Sequence, residues 1–186
     1  MPVPDLIRSL QERIRHPPSM DMDQLPPIRP GPRVPEKVVV QAERELGFSL
    51  HPLLRALYTE VGDGGFGPGC GFLPFAGNEW SLVELAKWKC VDVPDLEPTF
   101  PPRVVEVLSW GCHYMSCVDC SRELGPVWFY DHDCNIEGAT NADYLYPEAD
   151  SLENWLWAWL RGVDLWTTGP KMKKMAEQSK LPGGTP

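Results

Sequence analysis

No run of about 18 consecutive apolar residues occurs in the chain, so the sequence predicts no membrane-spanning helix. The first residues, MPVPDLIRSLQERIR, hold no apolar block followed by a small-residue cleavage site. That pattern excludes a secretory signal and points to the cytoplasm. Basic residues are scarce: 17 Lys+Arg stand against 26 Asp+Glu, for a formal charge of −9. Nucleic-acid binding is therefore not expected, because phosphate contacts need clustered cations. No internal repeat is present.

What is there suits a globular domain. The 186 residues favour one domain, and 42% hydrophobic content is enough for a real core. Eight Trp predict that this core is rich in aromatics. Six Cys without an export signal read as reduced thiols. The charge is uneven. Residues 35–169 hold 8 Lys+Arg and 21 Asp+Glu, a balance of −13. Such a body suits a basic partner and speeds its encounter, although acidic surfaces also simply keep proteins soluble.

Along the chain, residues 1–16 contain an amphipathic helix over Asp5–His16, with Leu6, Ile7, Leu10 and Ile14 on one side. Residues 17–34 form a Pro-rich linker: Pro17–Pro35 carries seven prolines in nineteen residues. Residues 35–169 form the body. Pro35 opens a helix with Val38, Val39, Ala42 and Leu46 on its stripe, and Gly47 closes it. Pro52 opens a second helix through Leu53, Leu54, Leu57, Tyr58 and Val61, ended by Gly62. After the glycine-rich Val61–Phe72, Phe72–Phe75 reads as a short strand. Ser81–Lys89 reads as a helix with Leu82, Leu85 and Ala86 inward, and Asp92–Pro102 as a loop. Strands follow at Val104–Trp110, His113–Val118 and Val127–Asp131, the last two joined by a Ser121–Gly125 turn, with a further strand near Cys134–Glu137. Asp150–Arg161 reads as a helix capped by Asp150, its stripe Leu152, Trp155, Leu156, Trp159, Leu160 and Val163 leaving Trp157 aside. Residues 170–186 are a basic tail with a frayed helix over Lys171–Lys180 and a disordered end. The fold class is α+β, helices packed around a mixed, largely antiparallel sheet.

Two motif blocks carry a family resemblance. Glu43–Gly47 (EREL-G), Pro52 through Tyr58, and Gly62-Asp63-Gly64-Gly65-Phe66-Gly67 follow one another in order. Downstream, LSWGCHYMSCVDC (Leu108–Cys120) precedes GPVWFYD and the helix SLENWLWAWL. Together, over roughly Pro35 to Val163, these resemble the SUKH superfamily of cell-wall-assembly-regulator-like and bacterial immunity proteins. Gly47, Pro52, Tyr58, Gly62, Gly64, Gly65, Phe66, Trp110, Gly111, Cys112 and Asp119 are the positions matching its pattern. The resemblance implies a compact α+β fold and a non-catalytic role, often the neutralisation of a toxin.

Catalytic and ligand chemistries compete poorly with that reading. The glycine segment lacks the Lys-Ser/Thr and the following helix of a phosphate loop, and Asp63 would repel phosphate. Its glycines instead permit positive φ at Gly62, Gly64 and Gly65, with Phe66 as a core plug. Cys117 and Cys120 form a C-x-x-C half-site that Cys112 and Cys134 could complete as a zinc site, with His113 nearby. However, Cys112 and Cys117 would face opposite sides of a strand, and buried small hydrophobes are the simpler account. No cofactor is expected. Asp131-His132-Asp133, or Cys112 with His132, could form a catalytic cluster, but no oxyanion hole or orienting group accompanies them.

The leading expectation is thus an immunity protein that binds a cognate, basic protein toxin. Candidate contacts are the acidic residues Asp131, Asp133, Glu137, Asp143 and Glu148, with Trp157 off the core stripe. One alternative is a regulatory or scaffold module using the Pro-rich linker and first helix on an endogenous partner. Another is a thiol- or metal-dependent enzyme.

Overall fold

The computed structural model describes residues 3–17, 29–90, 100–112, 114–131 and 144–169. Helix α1 (Val3–Arg15) presents Leu6, Ile7 and Leu10 to the interior, as its spacing predicts. Helix α2 (Glu36–Leu46) buries Val39, Ala42 and Leu46, while Val38 is exposed. Pro35 is its N-cap in extended conformation and not its first helical residue, so the helix starts one place later than the spacing predicts. At the other end the Gly47 N–H bonds the Glu43 carbonyl at 3.0 Å.

Helix α3 (Pro52–Ala56) starts at a proline, which has no N–H to leave unsatisfied there. It continues as a π-helical turn, Leu57–Val61. The wider turn delivers Tyr58 and Leu57 to the core together, and the Gly62 N–H still reaches the Leu57 carbonyl at 3.1 Å. His51 precedes α3 and ties it to the sheet. Its Nδ1 accepts from the Leu53 N–H at 3.3 Å, and its Nε2 lies 2.9 Å from the Glu123 carbonyl. A neutral ring with its proton on Nε2 satisfies both contacts.

The sheet runs in the order β1-β2-β3-β4 and is wholly antiparallel: β1 (Val104–Gly111), β2 (Tyr114–Asp119), β3 (Val127–Asp131) and β4 (Leu145–Ala149). A bulge at Val107 bends β1. Asp119 holds the β2–β3 turn, its Oδ1 accepting from the Ser121 N–H at 2.9 Å and its Oδ2 pairing with Arg122 Nε at 3.1 Å. The strand anticipated at Cys134–Glu137 lies outside the described residues, and β4 was not anticipated. Nor do Phe72–Phe75 form a strand. They make one bridge, Phe72 to Leu108, and then the carbonyls of Pro74 and Phe75 accept from Leu82 and Val83 at 2.9 and 3.0 Å. That segment is thereby committed to starting helix α4 (Leu82–Cys90).

Helix α5 (Leu152–Leu160) is capped by Ser151, not Asp150: the Ser151 Oγ accepts from the Asn154 N–H at 3.1 Å. Leu152, Trp155 and Leu156 are buried, whereas Trp159 and Leu160 are half-buried and Val163 is exposed. A short helix α6 (Leu165–Thr168) follows, its first turn capped by Asp164.

One core joins α1, α2, α3 and α5 to one face of the sheet. Leu6 and Leu10 have no exposed surface, so α1 is an integral layer of the body. The other face carries a smaller cluster of Leu73, Leu85, Phe100, Val104, Met115 and Tyr130, among others.

The glycine segment sits where these parts meet. Gly64 and Gly65 have φ of 64° and 68°, as anticipated, but Gly62 is extended at 167°. Gly62 is required by space: a Cβ there would lie 2.7 Å from the Pro30 Cβ and 2.8 Å from the Gly31 oxygen. Phe66 is buried, its ring stacked on Phe72 at 5.1 Å.

Two stability measurements test this assembly. Leu10→Ala should cost about 2–5 kcal/mol in urea unfolding, because it opens a cavity in the shared core. An undiminished urea midpoint would show that α1 is not part of it. At Gly64 an added Cβ would stand 2.6 Å from the Leu73 oxygen, whereas at Gly77 nothing lies within 4 Å. Gly64→Ala should therefore cost at least about 2 kcal/mol, and Gly77→Ala, with only its backbone strain, about 1 kcal/mol.

Candidate binding surface

Of the five acidic residues read from the sequence as contacts, Asp131 and Glu148 lie among the described residues, and neither is an exposed residue. Asp131 is only 5% exposed at the end of β3. Glu148 on β4 is half-buried, its Oε2 accepting from Ser116 Oγ at 2.8 Å. Ser116 Oγ in turn accepts from Trp110 Nε1 at 2.8 Å. Rings of Trp110, Tyr114, Phe129 and Trp166 pack around this polar chain. Glu148 therefore serves inside the aromatic layer between sheet and α6. Trp157 is half-buried against the main core, and its Nε1 finds no acceptor among the described residues. Asp133, Glu137 and Asp143 lie outside the described residues, as do His132 and Cys134.

The thiols are separated. Cys112 is exposed at the β1–β2 turn with φ of 49°, Cys117 is buried in β2, and Cys120 is half-buried beyond it. Among the described residues no three His, Cys, Asp or Glu side chains come together to hold a metal.

A different feature stands out on α4. Its buried stripe is Leu82, Leu85, Ala86 and Lys89. Lys89 Nζ forms an ion pair with Glu106 Oε1 at 2.6 Å, with side-chain exposures of 8% and 2%. The ammonium also lies 4.9 Å from the Tyr130 ring, 5.4 Å from Phe100 and 5.9 Å from Trp88. Burial first, and then the Glu106 charge, push the Tyr130 hydroxyl well above the usual tyrosine range, so it stays protonated at neutral pH. On the opposite side of α4, Trp88 is 75% exposed, and Trp80, just before the helix, is 67% exposed. The tryptophan count predicts an aromatic-rich core and the spacing sets only Trp157 apart, so neither Trp80 nor Trp88 is singled out. A signal was present: Trp80, Glu84 and Trp88 recur at four-residue spacing, off the Leu82–Leu85–Ala86 stripe.

The model of the SMI1 / KNR4 family (SUKH-1) matches residues 33–157. The chain belongs to this family. No curated protein is similar enough to be matched to it. Within the SUKH-1 match, most signature positions sit at structural junctions. Tyr58 donates its hydroxyl to the Leu73 carbonyl at 3.0 Å, and Asp63 Oδ1 accepts from the Phe75 N–H at 2.6 Å. Burial, and after it the Asp63 charge, hold the Tyr58 hydroxyl in its protonated form. Trp110 and Gly111 end β1, and Asp119 ends β2. Trp80 and Trp88 also lie inside the SUKH-1 match.

The Lys89–Glu106 pair supplies a test of what lies beneath the tryptophans. Lys89→Met removes the ammonium from a buried carboxylate and should cost about 3–5 kcal/mol. Lys89→Met with Glu106→Leu should recover most of that loss. Equal thermal stability of the single variant and wild type would show that the pair is solvated.

Proposed function

We propose that this chain is a non-catalytic, cytoplasmic protein-binding domain that acts as an immunity protein, binding and neutralising a cognate basic toxin such as a nuclease. The observation that carries the reading is membership of the SUKH-1 family in a chain whose residues 35–169 hold 21 acidic against 8 basic side chains. Neutralisation of this kind needs no reaction. A complementary surface with a few desolvated anchors occludes the toxin's site, and the acidic field raises the rate of encounter.

The regulatory alternative relied on the first helix and the linker as ligands for another protein. Leu6, Ile7 and Leu10 are committed to the chain's own core. The end of the linker is likewise engaged, since Gly31 pairs with Asp63 and the Val34 N–H bonds the Tyr58 carbonyl at 3.0 Å. Those surfaces are therefore poor candidates, and immunity is the better supported function.

Co-expression with the toxin domain encoded by a neighbouring gene tests it. The full chain should restore growth, and the association rate should fall steeply between about 50 and 200 mM salt, since exposed charges are screened over that range. Failure to protect against every neighbouring toxin domain would overturn the reading, and a salt-independent association rate would remove the steering part of it.

A further inference from the structure

We infer that the outer face of α4, carrying Trp80 and Trp88, is the surface on which the partner docks, and that the partner meets it with an arginine-bearing basic face. This rests on the immunity reading and specifies its interface.

Trp80 and Trp88 are the two most exposed large apolar side chains among the described residues, at 67% and 75%. Fully buried, an indole removes on the order of 200 Å² from water, so leaving two exposed forgoes a large stabilisation that a partner can supply. Neither ring is required by the fold, whose core uses the opposite stripe of α4. The backbone that carries them is fixed before any partner arrives. The Trp80 N–H bonds Asn78 Oδ1 at 2.9 Å, and Ser81 Oγ donates to the Asn78 carbonyl at 2.7 Å, which fixes the turn into the helix. Trp88 lies against the ammonium of Lys89, itself anchored by Glu106. A fixed backbone lowers the entropy lost when such aromatic anchors bind.

Charge selects the partner. Glu79 is exposed beside Trp80, and Glu84, half-buried, lies between Trp80 and Trp88 in the sequence. Glu45 of α2 adjoins through Lys87, which it holds at 2.7 Å while Glu84 holds it at 3.1 Å. Three carboxylates and one already paired ammonium leave the patch negative. Trp80 stands in the turn that leads into α4 and Trp88 in its last turn. A guanidinium can stack on an indole and pair with a neighbouring carboxylate at the same time, which suits arginine better than lysine.

The test measures affinity of the full chain for the neighbouring-gene toxin domain, held catalytically inactive. Trp80→Ala and Trp88→Ala should each weaken binding about thirtyfold, and the double variant should lose protection in cells. Leu124→Ala, an equally exposed apolar site elsewhere, should bind as wild type does. All four variants should melt as wild type does, because the side chains are at the surface. Wild-type affinity in the double variant would overturn the docking face while leaving the immunity reading intact. A wild type that neither binds nor protects would overturn both. A wild-type dimer that the double variant converts to monomer, with toxin affinity unchanged, would give the face to a second copy of this chain and overturn the proposal.

Discussion

At Gly62 and Gly64 the backbone runs so close to two other segments that a Cβ does not fit, and most of the architecture depends on that contact. On one side Gly31 and Asp63 exchange backbone hydrogen bonds of 3.1 and 3.2 Å, which brings the linker's end onto the body. On the other, the Leu73 and Pro74 backbone fills the space a Cβ of Gly64 would need. Asp63 then fixes the exit, because its carboxylate takes the Phe75 N–H. Phe75 and Pro74 in turn supply the carbonyls that start α4. A single crowded turn thus sets the direction of α3, the docking of the linker and the origin of the helix that carries the exposed tryptophans. The acid at position 63, which argues against phosphate in a glycine-rich loop, is needed here as an internal acceptor.

Much of this was legible in the sequence where a periodic stripe met a clear stop. α2 and α5 combine strong apolar spacing with end signals, and α1 shows its stripe despite the prolines after it. Other elements were not legible, for identifiable reasons. β4 reads LYPEA, and Pro147 with Glu148 suggests a loop. An edge strand tolerates a proline because one row of its backbone groups needs no partner. Phe72–Phe75 is apolar enough for a strand, yet the carbonyls of Pro74 and Phe75 are taken by the next helix. The π turn at Leu57–Val61 leaves the apolar spacing of an ordinary helix almost unchanged, so periodicity does not reveal it.

The surface was harder to read than the core. A high tryptophan count argues for an aromatic interior, and most of the indoles do pack inward. Trp80 and Trp88 break the rule, and only their place off the buried stripe of α4 separates them. The same wheel puts Lys89 on the buried stripe, against its usual preference. Its pairing with Glu106, and the Tyr130 and Phe100 rings around it, depend on strands more than ten residues away, so they were not readable locally.

Acidic residues counted along a chain measure its long-range field better than its points of contact. Several of the carboxylates here have internal duties: Glu43 accepts from the Leu50 N–H, Glu106 holds Lys89, Asp63 and Asp119 hold turns, and Glu148 joins the Trp110–Ser116 chain. Each still adds to the negative potential felt by an approaching cation, because potential sums over the whole body. None of these five is free to be exchanged for a partner's hydrogen bond without loosening the fold. Steering and anchoring therefore fall to different residues. The field can draw a basic protein in from any side, but the place where it stops must offer groups the fold does not use. Among the described residues the two indoles at α4 are such groups, outside the core and with Glu79 exposed beside Trp80.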